Sequence, residues 1–179
     1  MKSKDMIMCS FFTVLIVVGA FVRLPILVIP FTLQTLFVLL SAMLLGKKAA
    51  ISSFVYMLLG LVGLPIFSEG GGIWYIAKPT FGYIIGFILG SFVTGLIVEK
   101  MKKKSFSKLF VAGIIGLVCI YVVGMAYFAG VTKIVLGNEI DIIYILKYGL
   151  LATLPGDLVL CVLAVVIGKK VRNRFGIFK

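Results

Sequence analysis

The sequence predicts an all-α integral membrane protein, a single domain over residues 1–179 that crosses the bilayer six times with its N- and C-termini in the cytoplasm. Three observations carry this. Of the 179 residues, 62% are apolar and 13% are charged, against about half and about a quarter in a soluble domain, and a chain this short leaves roughly a third of its unfolded surface in contact with solvent after folding. The apolar residues fall in six runs, 6–22, 31–45, 49–64, 81–98, 109–128 and 148–167. The 18 Lys and Arg, against 6 Asp and Glu, cluster between those runs.

Run 6–22 follows Lys2 and Lys4 as the core of a signal peptide would, but no small-x-small cleavage site ends it and five more runs follow, so it is an uncleaved first helix. Run 31–45 opens on a polar interruption, Thr32, Gln34 and Thr35, and reaches run 49–64 through Gly46, Lys47 and Lys48 alone. Run 81–98 carries Gly82, Gly86 and Gly90 at four-residue spacing, followed by Thr94, a smooth stripe for close helix approach. Run 109–128 follows a basic link, and run 148–167 contains Pro155, Gly156 and Asp157. Several runs are shorter than the roughly 20 residues of a standard crossing, which suits a small, thin or tilted bundle.

Cations concentrate on the cytoplasmic side of membrane proteins. Placing the N-terminus there leaves only Arg23, Lys78, Lys133 and Lys147 of the 18 on the outer face. The expected inner links are minimal or simply basic. The outer ones, 23–30, 65–80 and 129–147, are long, apolar and rich in turn residues. Such loops fold back over a cavity rather than trail in solvent, so a ligand pocket opening outward is expected.

This pattern also excludes function classes. The basic residues mark orientation and not a nucleic-acid surface, and Cys9, Cys119 and Cys161 lie in separate apolar runs with no CxxC pair, which indicates neither a disulfide framework nor a zinc site. Six spans leave no room for a nucleotide-binding domain. With no His, no carboxylate pair in one span and no metal-ligand spacing, the parts of a catalytic site are missing. A channel would line several helices with polar groups through the whole bilayer, whereas here they gather toward the outer half.

Asp157 is the residue the membrane tolerates least. Its position ten residues before the end of its run places it roughly 15 Å from the cytoplasmic boundary, where a carboxylate costs at least about 2.5 kcal/mol unless it is partnered or turned to the interior. It either forms a buried ion pair, with Lys147 or Lys78, or faces a ligand. Pro155, by removing a helical hydrogen bond, bends or loosens the backbone there. Gln34 has both donor and acceptor and either bridges helices or reads an amide of a ligand. Trp74 and Tyr75 either belong to an interfacial belt or pack a ligand. Lys78 is either a solvated loop charge or a ligand contact.

Four motifs, Pro30-Phe31-Thr32-Leu33-Gln34-Thr35-Leu36, Gly63-Leu64-Pro65-Ile66-Phe67, Lys78-Pro79-Thr80-Phe81-Gly82-Tyr83-Ile84-Ile85-Gly86-Phe87 and Leu154-Pro155-Gly156-Asp157, resemble in order and spacing the BioY family, the biotin-specific S components of energy-coupling factor (ECF) transporters. The resemblance implies a six-helix subunit of a prokaryotic plasma membrane that binds biotin near the outer face, needs no cofactor, and works with a transmembrane T component and two cytoplasmic ATPases. It implies that Asp157 accepts the ureido N–H groups, that Gln34 complements the amide, that Trp74, Tyr75 and Tyr83 pack the bicycle, and that a cation meets the tail carboxylate. The family's Pro-Gly-Asp-x-x-Lys pattern has Leu160 in place of its lysine, and Lys78 is the expected replacement. A small-residue coupling face toward the T component is expected at Cys9, Ser10 and Thr13, although Val14 and Val17 blur it. An S component for another small vitamin, or a structural membrane protein held together by Asp157 and Gln34, are the competing readings.

Overall fold

The structure is a computed structural model that describes residues 3–24, 31–136 and 142–175. Helix α1 (Ser3–Phe21) leads into a short antiparallel pair, β1 (Arg23–Leu24) and β2 (Phe31–Thr32), in which Arg23 faces Thr32. There follow α2 (Gln34–Leu45), a tight turn at Gly46–Lys48, α3 (Ala49–Leu61), a 3-10 turn at Ile73–Ala77, α4 (Phe81–Lys100) and α5 (Phe106–Leu136). Then come α6 (Ile142–Leu146), a π-helical segment at Lys147–Leu151, and α7 (Leu154–Phe175). The strand pair escaped the sequence reading because two residues a side are too few to show alternation. The expected loop residues 25–30 and 137–141 lie outside the described residues.

Five helical stretches are long and apolar enough to cross a membrane, Ser3–Phe21, Gln34–Leu61, Phe81–Lys100, Phe106–Ile134 and Ile143–Arg174. Two of the six expected runs fall together in the second. Its limbs α2 and α3 have 12 and 13 residues, each about 18–20 Å long at the helical rise, and the chain reverses between them. Gly46, at φ 63°, makes that reversal in a conformation favouring glycine. A Cβ on Gly95, near the end of α4, would lie 2.2 Å from the Gly46 carbonyl, whereas Gly60, at the far end of α3, packs on Phe67, whose ring meets Phe81 at the start of α4. So α3 runs antiparallel to α4.

The glycine stripe of α4 is the face that meets α5. A Cβ on Gly82 would lie 2.3 Å from Tyr127 Cβ, one on Gly86 2.7 Å from the Ile120 carbonyl oxygen, and one on Gly90 2.8 Å from that of Gly116. One turn further, Thr94 donates to the Ala112 carbonyl at 3.2 Å, satisfying its hydroxyl where the backbones are close.

Helix boundaries differ from the expected runs in two places. The expected outer link from residue 129 begins as helix, since α5 runs on to Leu136. Val131 and Ile134 keep it apolar, and Thr132 returns its hydroxyl to the Phe128 carbonyl at 2.6 Å. The expected run 148–167 is interrupted, its first part being π-helical and its regular helix starting at Leu154. Pro155 then occupies the first turn of α7, where a missing N–H costs least.

On the outside of the bundle, Val111, Ile115, Val118 and Val122 of α5 are exposed, as are Val159, Val162, Leu163 and Val166 of α7 and Phe11, Val14 and Val18 of α1. Recurring at helical spacing, they form apolar stripes of the kind that face lipid.

Candidate ligand-binding pocket

A cavity opens between the strand pair, the 65–80 connection and the upper parts of α2, α4, α5 and α7. Phe31, Thr32, Gln34 and Thr35 form one wall, Ser68, Tyr75 and Thr80 the second, Tyr83, Ile84 and Phe87 the third. Ile120 and Tyr121 of α5, with Thr153 just before the last helix and Asp157 in it, close it.

Asp157 is in the first turn of α7 and buried, where the N-terminal end of the helix dipole favours a carboxylate. The Tyr121 hydroxyl donates to its Oδ2 and lies 3.0 Å from Thr153 Oγ1. Thr35 makes a further side-chain hydrogen bond to it. Among the described residues no Lys or Arg forms a salt bridge with Asp157, so the expected alternative of a buried ion pair is not what holds it. Neutral hydroxyls, and not a cation, surround its carboxyl group on the cavity wall.

The irregular backbone before Pro155 serves the same wall. Tyr83 donates to the Gly149 carbonyl at 2.7 Å, within the π-helical segment, and its ring meets Tyr121 edge-on at 6.2 Å. Gly156 packs closely against the Phe31 ring, where a Cβ would lie 2.4 Å from it.

Gln34 is buried at the start of α2. Its Oε1 accepts from the Thr32 hydroxyl at 3.3 Å, and its amide also faces the Tyr56 hydroxyl of α3.

Gln34, Tyr75, Tyr83 and Asp157 are therefore brought to one cavity. Tyr75 is buried among Phe67 and Phe81, its hydroxyl 3.3 Å from Ser68 Oγ. Trp74, its neighbour on the 3-10 turn, points away and is 86% exposed, beside Ile73, Ile76, Tyr127 and Ile134. Lys78 does not line the cavity: its ammonium pairs with Glu69 at 2.8 Å and lies 5.0 Å over the Tyr75 ring. Of the three expected coupling residues, Cys9 and Thr13 are buried, with Thr13 donating to the Ser52 carbonyl of α3 at 3.1 Å. Only Ser10 is exposed.

Tyr121 and Thr153 were not singled out by the sequence, and Thr35 only as part of the polar interruption. Thr153 precedes Asp157 by four residues and so shares its helical face, a signal that was present. Tyr121 is a lone phenol in mid-run, and a buried phenol needs a partner.

The fold and the pocket define a polytopic helical membrane protein with a partly polar cavity between its helices. The BioY family model matches residues 1–177, and the chain belongs to the BioY family. It is 35% identical over 175 residues to the probable biotin transporter BioY of Lysinibacillus sphaericus, covering 97% of this chain and 89% of that one. It is 47% identical over 124 residues to the biotin transporter BioY of Thermotoga maritima, covering 68% and 72%. Among solved structures, the crystal structure of the S-component for biotin from an ECF-type ABC transporter matches with TM-score 0.85 at 25% identity, covering 99% of this chain and 98% of that one.

Proposed function

We propose that this chain is the biotin-binding membrane subunit of an ECF transporter, capturing the vitamin from outside and relying on a T component and two cytoplasmic ATPases for energy. The observation that carries the reading is the pairing, in one cavity, of a hydroxyl-held carboxylate with a buried amide, Asp157 with Gln34. Biotin's cyclic urea offers two N–H donors and one carbonyl acceptor. Asp157 accepts the donors, and Gln34 Nε2 donates to the carbonyl. Tyr75, Tyr83, Phe31 and Phe87 supply the apolar walls for the bicycle. The function is transport and not catalysis.

Leu160, in place of the family's lysine, favours a second reading, an S component for a different vitamin. Thermal unfolding of the purified protein across a vitamin panel separates the two, since a ligand bound only by the folded form raises its stability by mass action. The proposal expects biotin to stabilise; stabilisation by another vitamin with biotin silent overturns it.

Gln34→Leu should weaken biotin by about 1 kcal/mol, roughly fivefold, through loss of one hydrogen bond. Wild-type affinity in a titration of this variant would make Gln34 a purely structural residue.

In the cell membrane we place both termini and the basic link at 99–108 in the cytoplasm, with α2 and α3 as separate short crossings, giving six. On a background lacking Cys9, Cys119 and Cys161, an impermeant thiol reagent added to intact cells should modify Glu69→Cys and spare Ser105→Cys. The opposite pattern would invert the site.

A further inference from the structure

Biotin's tail ends in a carboxylate, and a carboxylate in a partly dry site needs a cation or several donors. Lys78, expected from the sequence to meet it, is engaged by Glu69 at 2.8 Å. A different cation, which like Lys78 is not itself among the lining residues, is tied to two residues that are. Arg23 is exposed on β1, its Cα paired with that of Thr32, and its guanidinium donates to the Ser68 carbonyl. Thr32 and Ser68 both line the cavity, so Arg23 spans its rim from the strand pair to the 65–80 connection. Among the described residues it forms no salt bridge, the two ion pairs being Lys48 with Asp5 and Lys78 with Glu69.

We propose, on the footing of the biotin reading above, that Arg23 is the residue that recognises the ligand's carboxylate and so selects anionic over neutral tails. The cavity then has a polarity matched to the ligand. A buried acceptor, Asp157, receives the urea, and an exposed guanidinium at the rim receives the tail. A guanidinium has five N–H donors in a fixed fork, enough to grip a carboxylate with two while keeping the bond to Ser68. Its neighbour Val22 anchors the strand pair by accepting from the Leu33 N–H at 3.2 Å, which fixes the arginine's backbone beside the wall carrying Gln34.

The test is equilibrium binding of biotin and of biotin amide to the purified full chain, wild type and variants. Arg23→Met should weaken biotin by roughly 10-fold or more, the scale of a charge-assisted hydrogen-bonded pair, and change biotin amide less than about twofold. Arg23→Lys should fall between, keeping charge but losing the fork, and Lys78→Met should leave the ratio of the two affinities unchanged. Equal losses for both ligands would show that Arg23 only fastens the rim, and no loss, or a ratio that collapses in Lys78→Met instead, would likewise overturn the proposal. If Arg23→Met does not fold, Arg23→Lys decides, a wild-type ratio counting against the assignment. Failure of the wild-type chain to bind either ligand would overturn the biotin reading itself.

Discussion

Asp157→Asn should weaken biotin binding by about 1–3 kcal/mol, roughly 5- to 150-fold, and leave the unliganded protein close to wild-type stability. Asparagine keeps the shape and an oxygen to accept from Tyr121, so the hydroxyl cluster of Tyr121, Thr153 and Thr35 retains its centre. What disappears is the negative charge that makes the carboxylate a strong acceptor for the urea N–H groups. Replacing one of its acceptor oxygens by an NH2 group also sets donor against donor if that group faces the urea. Equilibrium binding together with melting of the unliganded protein reads both sides. Lower stability with unchanged affinity would make Asp157 a helix tie and nothing more.

Gly86→Ala should be strongly damaging in the bundle's α4–α5 interface, costing about 1–3 kcal/mol or more. Its Cβ would lie 2.7 Å from the Ile120 carbonyl oxygen and 3.0 Å from Ile120 Cα. Both are backbone atoms, so no side chain can rotate away and the helices must part. The matched control is Gly130, in α5 and exposed, where a Cβ meets nothing within 4 Å. There the same change should be neutral or stabilising by up to about 1 kcal/mol, because alanine favours helix. Thermal unfolding of the two variants in detergent checks the pair, and equal effects would mean that the stripe does not carry the packing.

The glycine stripe was legible because four-residue spacing has one strong meaning in an apolar helix. Asp157 and Gln34 were legible because a polar side chain inside such a run must have a reason. Tyr121 was harder, since a tyrosine counts as apolar until its hydroxyl finds a partner. Neighbours on the Ile73–Ala77 turn, Trp74 and Tyr75, offer the same chemistry, and only the conformation of the turn sends Tyr75 inward and Trp74 out. The end of α5 was missed for a related reason. Ala129 and Gly130 permit a stop but do not impose one, and with no proline following, the helix continues. The pairing of Lys78 with Glu69 depends on how the Gly-rich segment between them folds, at Gly70 φ 115° and Gly72 φ 100°, which composition does not specify.

The most direct test of the central claim is equilibrium dialysis of labelled biotin against the purified chain, with no T component or ATPase present. Among the described residues the pocket is lined by β2, α2, α4, α5, α7 and the segments near them, so a single saturable class of site is expected, displaced by unlabelled biotin and weakened in Asp157→Asn. Absence of saturable binding by the folded chain, or saturable binding that Asp157→Asn leaves untouched, would contradict it.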